Sequence, residues 1–288
     1  MSESLPPGTR VGAVSLTITN LERSLQFYQE RLGFTVHRRA GEAAYLGAGG
    51  PDLVVLAQDP GARRVGGTTG LYHFAVLLPS RAALALALGR LAETRTRLQG
   101  LSDHGVSEAI YLADPDGNGI EISSDRPRGE WPFDGGRLRM MTEPLDVEGL
   151  MSEPAGRSQG WAGLPPGTMI GHIHLHVPDL GSAEAFYAGV LGFDIMQRLG
   201  PSALFLSAGG YHHHVGLNTW AGVGASPPPP GSIGLRHFVV RLPKAAELAR
   251  VAARVRGAGV AMEETPAGLL VRDPSGNSVV LSGNDSPD

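Results

Sequence analysis

The 288-residue chain repeats itself, and the repeat restricts its architecture more than any single motif does. Val11 to Phe34 recurs as Ile170 to Phe193 in the same internal order: an apolar run, a helix cap, an amphipathic stretch, then Leu-Gly-Phe. Phe27-Tyr28 and Leu32-Gly33-Phe34 return as Phe186-Tyr187 and Leu191-Gly192-Phe193, 159 residues further on. Asn20 and Asp179 are side chains that accept from free N–H groups at a helix start, and Gly33 and Gly192 suit a helix end. A second pair follows, because Leu71 to Pro79 is similar to Leu235 to Pro243, each ahead of an Ala/Leu/Arg-rich helical stretch. Asp114-Pro115-Asp116-Gly117-Asn118 and Asp273-Pro274-Ser275-Gly276-Asn277, turn sequences of the kind that join strands, close the pattern.

These pairs predict an α+β fold of four strand–helix–three-strand units, over residues 10–58, 70–124, 168–220 and 233–284. The units group into two tandem modules, 1–125 and 168–288. The intervening residues 126–167, rich in Gly, Pro and charge, are expected to be a linker anchored by Trp131 and Phe133. A connection of that length either carries function or crosses one half over the other.

The densest chemistry lies in residues 102–124. Glu108 to Leu112 and Gly119 to Ser123 read as two strands of a hairpin, with Tyr111 and Glu121 on facing arms and His104 just upstream. Glu121 stands between Ile120 and Ile122; it either faces solvent or is buried against something cationic, since an unpaired buried carboxylate is costly. Histidines gather in the second half. On a strand His172, His174 and His176 share one face, whereas His212 and His214 share a face that His213 does not.

Composition removes other classes of function. The formal charge is −4, without a Lys/Arg run, so no nucleic-acid surface is expected. Without cysteine there is no disulfide, thiolate ligand or thiol nucleophile. The amino-terminal residues have no signal-peptide pattern and no apolar run is of membrane-spanning length, so a cytoplasmic location is expected.

The paired units, Phe-Tyr…Leu-Gly-Phe and Asp-Pro-x-Gly-Asn together resemble the vicinal oxygen chelate superfamily, which includes glyoxalase I, extradiol ring-cleavage dioxygenases and bleomycin-resistance proteins. The run from His104 through Tyr111 to Glu121 resembles the extradiol dioxygenase signature, departing from it at Ser102. The second half looks like that of short two-module bacterial catechol 2,3-dioxygenases. The resemblance implies curved mixed sheets around a metal cup, with ligands at repeated positions. Those positions hold Ala13, His73 and Glu121 in the first half, and His172, His237 and Val280 in the second. Neither half owns a complete set. If the third unit meets the second, His73, Glu121 and His172 form one cup, and Ala13, His237 and Val280 form an empty counterpart. The alternative is that these histidines are satisfied core residues.

By the same resemblance, the site would hold Fe(II), or Mn(II), and open a small aromatic diol with O2. His214, or His212 one pleat away, would be the acid–base residue. Tyr111 would hydrogen-bond the bound diol, and His104 would steer protons. His174, Asn218 and Trp220 would line the pocket, while His213 and His176 would be structural or exposed. The chain would need no membrane and could form a homo-oligomer. A glyoxalase I-like lyase is the enzymatic alternative, but it would want a fourth, carboxylate ligand where His214 to Leu217 stand. A drug-binding protein of the same fold is the non-enzymatic one.

Overall fold

The computed structural model describes residues 3–153 and 160–283. The first two residues, used above in reading the amino terminus, and residues 154–159 of the expected linker lie outside them. All four units are present. The first comprises β1 (Arg10–Ile18), α1 (Leu21–Gln26), β2 (Thr35–Ala40), β3 (Ala43–Gly47) and β4 (Asp52–Gln58). The second comprises β5 (Gly70–Leu78), α2 (Arg81–Glu93), β6 (Leu98–Asp103), β7 (Ser107–Ala113) and β8 (Gly119–Asp125). The connection adds β9 (Phe133–Asp134), β10 (Arg137–Leu138), β11 (Glu143–Pro144) and α3 (Val147–Met151). The third unit holds β12 (Met169–His176), α4 (Leu180–Glu184), β13 (Asp194–Leu199), β14 (Ala203–Ser207) and β15 (Val215–Asn218). The fourth holds β16 (Gly234–Leu242), α5 (Ala245–Gly257), β17 (Met262–Thr265), β18 (Gly268–Arg272) and β19 (Ser278–Gly283).

The halves exchange units. One mixed sheet runs β17-β18-β19-β16-β1-β4-β3-β2, joining the fourth unit to the first. The other runs β11-β6-β7-β8-β5-β12-β15-β14-β13, joining the second to the third. Antiparallel pairing of β5 with β12 makes the seam of the second sheet, and β1 with β16 that of the first. A single apolar core of buried Leu, Val, Ile and Phe side chains spans both sheets and the helices packed on them.

The helix ends differ from a simple amphipathic helix, and the reason is a buried hydrogen bond. Asn20 and Asp179 cap α1 and α4 by accepting from Arg23 and Ser182 N–H. After Gln26 and Glu184 the chain continues as a π-helical turn, Phe27–Arg31 and Ala185–Leu191, so the Phe-Tyr pairs lie in wound-open backbone. There the fully buried Tyr28 and Tyr187 donate their hydroxyls to Asp114 and Asp273 at 3.2 and 3.1 Å. Each aspartate also accepts from two backbone N–H groups and the Asn amide of its own turn. Two motifs that look unrelated in sequence are thus the two ends of one contact.

The connection folds over the second sheet. Trp131 is buried beside Val106 and Leu138 and donates Nε1–H to the Arg126 carbonyl at 2.9 Å, so it is an anchor as expected. Phe133 is not an anchor: it is 58% exposed in the short β9–β10 ribbon. Trp161 takes that part instead, against Gly33, whose carbonyl accepts from Leu164 N–H at 2.9 Å. Gly33 has φ +80, and a Cβ there would stand 2.5 Å from the Trp161 ring. Among the described residues, no helix is long and apolar enough to cross a membrane.

Candidate metal centre

Register across the seam brings the two halves to one point. Tyr111 on β7 is paired with Glu121 on β8, Glu121 with Ala75 on β5, and Ala75 with His172 on β12. Residues paired in register project to the same face, so this row presents a phenol, a carboxylate, a gap and an imidazole. The gap is Ala75, whose methyl leaves the space. His73, two residues from Ala75, falls on the same face and supplies the third donor. The sheet had to be assembled from both halves for these side chains to meet.

His73 Nε2, His172 Nε2 and Glu121 Oε2 form a triangle with all three sides 3.2 Å. All three residues are buried. Bonds of about 2.1–2.2 Å meeting near right angles on one ion put neighbouring donors about 3.0–3.1 Å apart, so the triangle is of the right size for one face of a coordination sphere. With Glu121 ionised, protons alone do not satisfy it. Any assignment of tautomers leaves either two N–H groups crowded together or a nitrogen lone pair facing a carboxylate lone pair. Glu121 Oε1 is also buried without a partner. Burial pushes the Glu121 carboxyl up, but His172 and His73 beside it hold it well below the ordinary range. Burial holds His73 below its usual value, toward the neutral form a ligand needs. These donors fit a divalent cation.

Tyr111 and His104 stand together beside the triad. The Met141 carbonyl can only accept, so His104 Nδ1, 2.7 Å away, carries the proton. In the neutral ring, His104 Nε2 therefore accepts from the Tyr111 hydroxyl at 2.7 Å. Burial first, and then the nearby Glu121 charge, push the Tyr111 phenol well above its usual range.

The histidine run 212–214 departs from expectation, because it is not a strand. β15 begins only at Val215, so alternation of faces does not apply to His212, His213 and His214. His214 is turned away from the triad. Its Nδ1 accepts from Ser207 Oγ and from Ala208 N–H at 2.9 and 3.2 Å, and burial pushes it down to about 3. His212 is buried behind the site, its Nε2 3.0 Å from Asp125 Oδ1 and its Nδ1 2.8 Å from His213 Nδ1. His213, read above as structural or exposed, is the member that reaches the cavity, its ring 4.0 Å from that of His172. The carboxylate accepts a hydrogen bond from His212 Nε2–H, so with both rings neutral His213 donates through Nδ1 to His212 Nδ1 and keeps a bare Nε2. Burial, with His172 and His212 alongside, holds His213 well below its usual range.

His174 does line the cavity, paired with His73, with its buried Nε2 unpartnered. A Cβ at Gly216 would come within 2.8 Å of the His174 ring, so glycine there gives the imidazole its place. Trp220 forms the outer wall with Tyr72. Asn218 does not line it: fully buried, its Oδ1 accepts from Trp220 N–H and faces His176 Nδ1, which makes it a support for the wall.

The triad opens into a cavity of about 540 Å³. Its far side is built by residues that no motif marked: Met140, Met141 and Thr142 of the connection, with Gln197 and Leu199 of β13. Gln197 holds Met140 by a reciprocal pair, accepting from Met140 N–H at 2.6 Å and donating to its carbonyl at 3.0 Å. Consecutive methionines in a polar connection were the one visible hint. Asp125 carried none.

The family model described as "Glyoxalase/Bleomycin resistance protein/Dioxygenase superfamily" matches residues 10–122 and 169–281. A Bacillus subtilis (strain 168) protein named catechol-2,3-dioxygenase is 50% identical over 279 residues, covering 94% of this chain and 96% of that protein. Among solved structures, a putative dioxygenase from Bacillus subtilis subsp. subtilis str. 168 aligns with TM-score 0.68 at 13% identity, covering 99% of this chain and 87% of that one. Glyoxalase I from Zea mays aligns with TM-score 0.57 at 17% identity, covering 95% and 92%. At such identities the structures share the fold alone. With a matched unit pair in each half and a full-length relative at half identity, the chain belongs to the glyoxalase/bleomycin resistance protein/dioxygenase superfamily.

Proposed function

We propose that the protein is an extradiol dioxygenase that opens catechol or a simple substituted catechol with O2, using Fe(II) held by His73, Glu121 and His172. The observation that carries this reading is the cross-seam row itself: two imidazoles and one carboxylate at a common 3.2 Å spacing, with Tyr111 in register beside the carboxylate. Two His and one carboxylate leave positions open on ferrous iron, and the named activity of the Bacillus relative agrees with that use. Mn(II) is the alternative ion.

His73, Glu121 and His172 would hold the ion, which would supply Lewis-acid chemistry for the diol and redox chemistry for its reaction with dioxygen. The chain's own groups do the rest. His213, with its bare Nε2 beside the triad, is placed to take a proton from a diol hydroxyl, and it is the candidate acid–base residue in preference to His214. Asp125 and His212 behind it fix which of its nitrogens is free. Tyr111, kept as a phenol by burial and by Glu121, can donate its hydroxyl hydrogen bond toward the diol or to His104 Nε2. His174 faces the same space with an unused Nε2 and is a second polar contact for substrate. Tyr72, Phe205 and Trp220 keep water from the ring.

The test is metal analysis of anaerobically purified protein, followed by addition of catechol and air while the yellow ring-opened product is measured. One bound iron and ring cleavage are expected. Iron-loaded protein that leaves catechols intact yet isomerises a glutathione hemithioacetal would replace this reading with a glyoxalase one.

A further inference from the structure

We infer that the cavity selects an uncharged catechol bearing an apolar substituent, and that Met140, Met141 and Leu199 are the residues that set this preference. The inference rests on the proposed reaction for the diol end of the ligand and extends it to the other end. Size is the first observation. A closed apolar site of about 150 Å³ already holds benzene, whereas this cavity is about 540 Å³, in the range of pockets for considerably larger ligands. A bare diol ring at the triad leaves most of it empty.

Charge is the second observation. Among the described residues the lining contains no Lys or Arg, and its only carboxylate is Glu121 in the triad. On the β13 side, strand alternation turns Arg198, between Gln197 and Leu199, away from the cavity, and it is paired with Glu184 at 2.6 Å. Gln197 is already engaged by the Met140 backbone. A carboxylate on the ring would lose water without gaining a cation, which disfavours the acid. Met140, Met141, Leu199, Phe205 and Trp220 instead offer apolar contact, and methionine adapts to ligands of differing outline.

The experiment compares 3,4-dihydroxyphenylacetate with its methyl ester, which differ in charge but scarcely in shape. Binding to the Fe(II) protein is measured by calorimetry under argon, and kcat/KM is measured separately in air. The acid is expected to bind roughly 10²-fold more weakly than the ester, because its carboxylate is desolvated without a partner. Leu199 is 48% exposed on an edge strand, so Leu199→Arg should fold, and it should narrow the gap at least about tenfold by supplying the missing cation. Equal binding of acid and ester, no binding of either, or a gap unmoved by Leu199→Arg overturns the inference. If the ester binds preferentially but iron-loaded protein cleaves neither compound, the selectivity stands and the proposed reaction falls.

Discussion

At the scale of single residues, the neighbouring His213 and His214 have opposite environments and should have opposite phenotypes. His213→Ala should keep the metal and lose roughly 10²–10⁴-fold in kcat, the usual worth of a positioned acid–base group; metal content and turnover on one preparation would check both. His214→Asn should keep turnover, since an amide oxygen can accept from Ser207 and Ala208 as Nδ1 does. His214 matters instead to acid stability. Its folded value, about 3, lies below the 6.5 of a free imidazole, so the unfolded chain binds a proton that the folded one refuses. The associated stability is complete above pH 6.5 and drains away as pH falls toward 3, by about 2 kcal/mol at pH 5. Urea midpoints at pH 7 and pH 5 should therefore differ less in His214→Asn than in the parent. Tyr111→Phe, which leaves triad and fold intact, should reduce turnover by less than His213→Ala.

At the scale of elements, the π-helical turns are held open by what their tyrosines reach. Tyr28→Phe would leave Asp114 buried with one bond fewer, and Tyr187→Phe would do the same to Asp273. Each should cost about 1–2 kcal/mol in chemical denaturation while metal content is unchanged. A loss of metal on Tyr28→Phe would mean instead that the Asp114 turn sets the position of β8 and Glu121. The connection is an element in its own right. It places Met140 and Met141 over the cavity and fixes the His104 tautomer through one carbonyl.

At the scale of the whole molecule, exchanging units makes one competent cup and one incomplete one. The second seam joins β1 to β16 and carries Ala13, His237 and Val280 at the corresponding positions, with Val280 offering no donor atom. One metal equivalent per chain is expected. Glu121→Ala and His172→Ala, on opposite halves, should each abolish it, while His237→Ala should leave it unchanged. Two equivalents in the parent, with one lost on His237→Ala, would contradict the single-site reading.

The repeat, the caps Asn20 and Asp179, and the turns at Asp114 and Asp273 were legible from residues alone because they answer to local rules: period, cap chemistry and turn propensity act within a few positions. The complementary distribution of His73, Glu121 and His172 was also visible as a pattern. Their meeting was decided by the pairing of β5 with β12, a contact between residues nearly a hundred positions apart. Strand alternation does not describe the histidine run because those residues never enter a ladder; an irregular segment has no period to read. Phe133 was taken for an anchor by its type, although a short ribbon can leave a phenylalanine in water. Met140 and Met141 join the site because the connection folds back onto the second sheet, and Gln197 and Asp125 because β13 and β8 belong to that sheet; long-range packing of that kind leaves no periodic trace in a single chain.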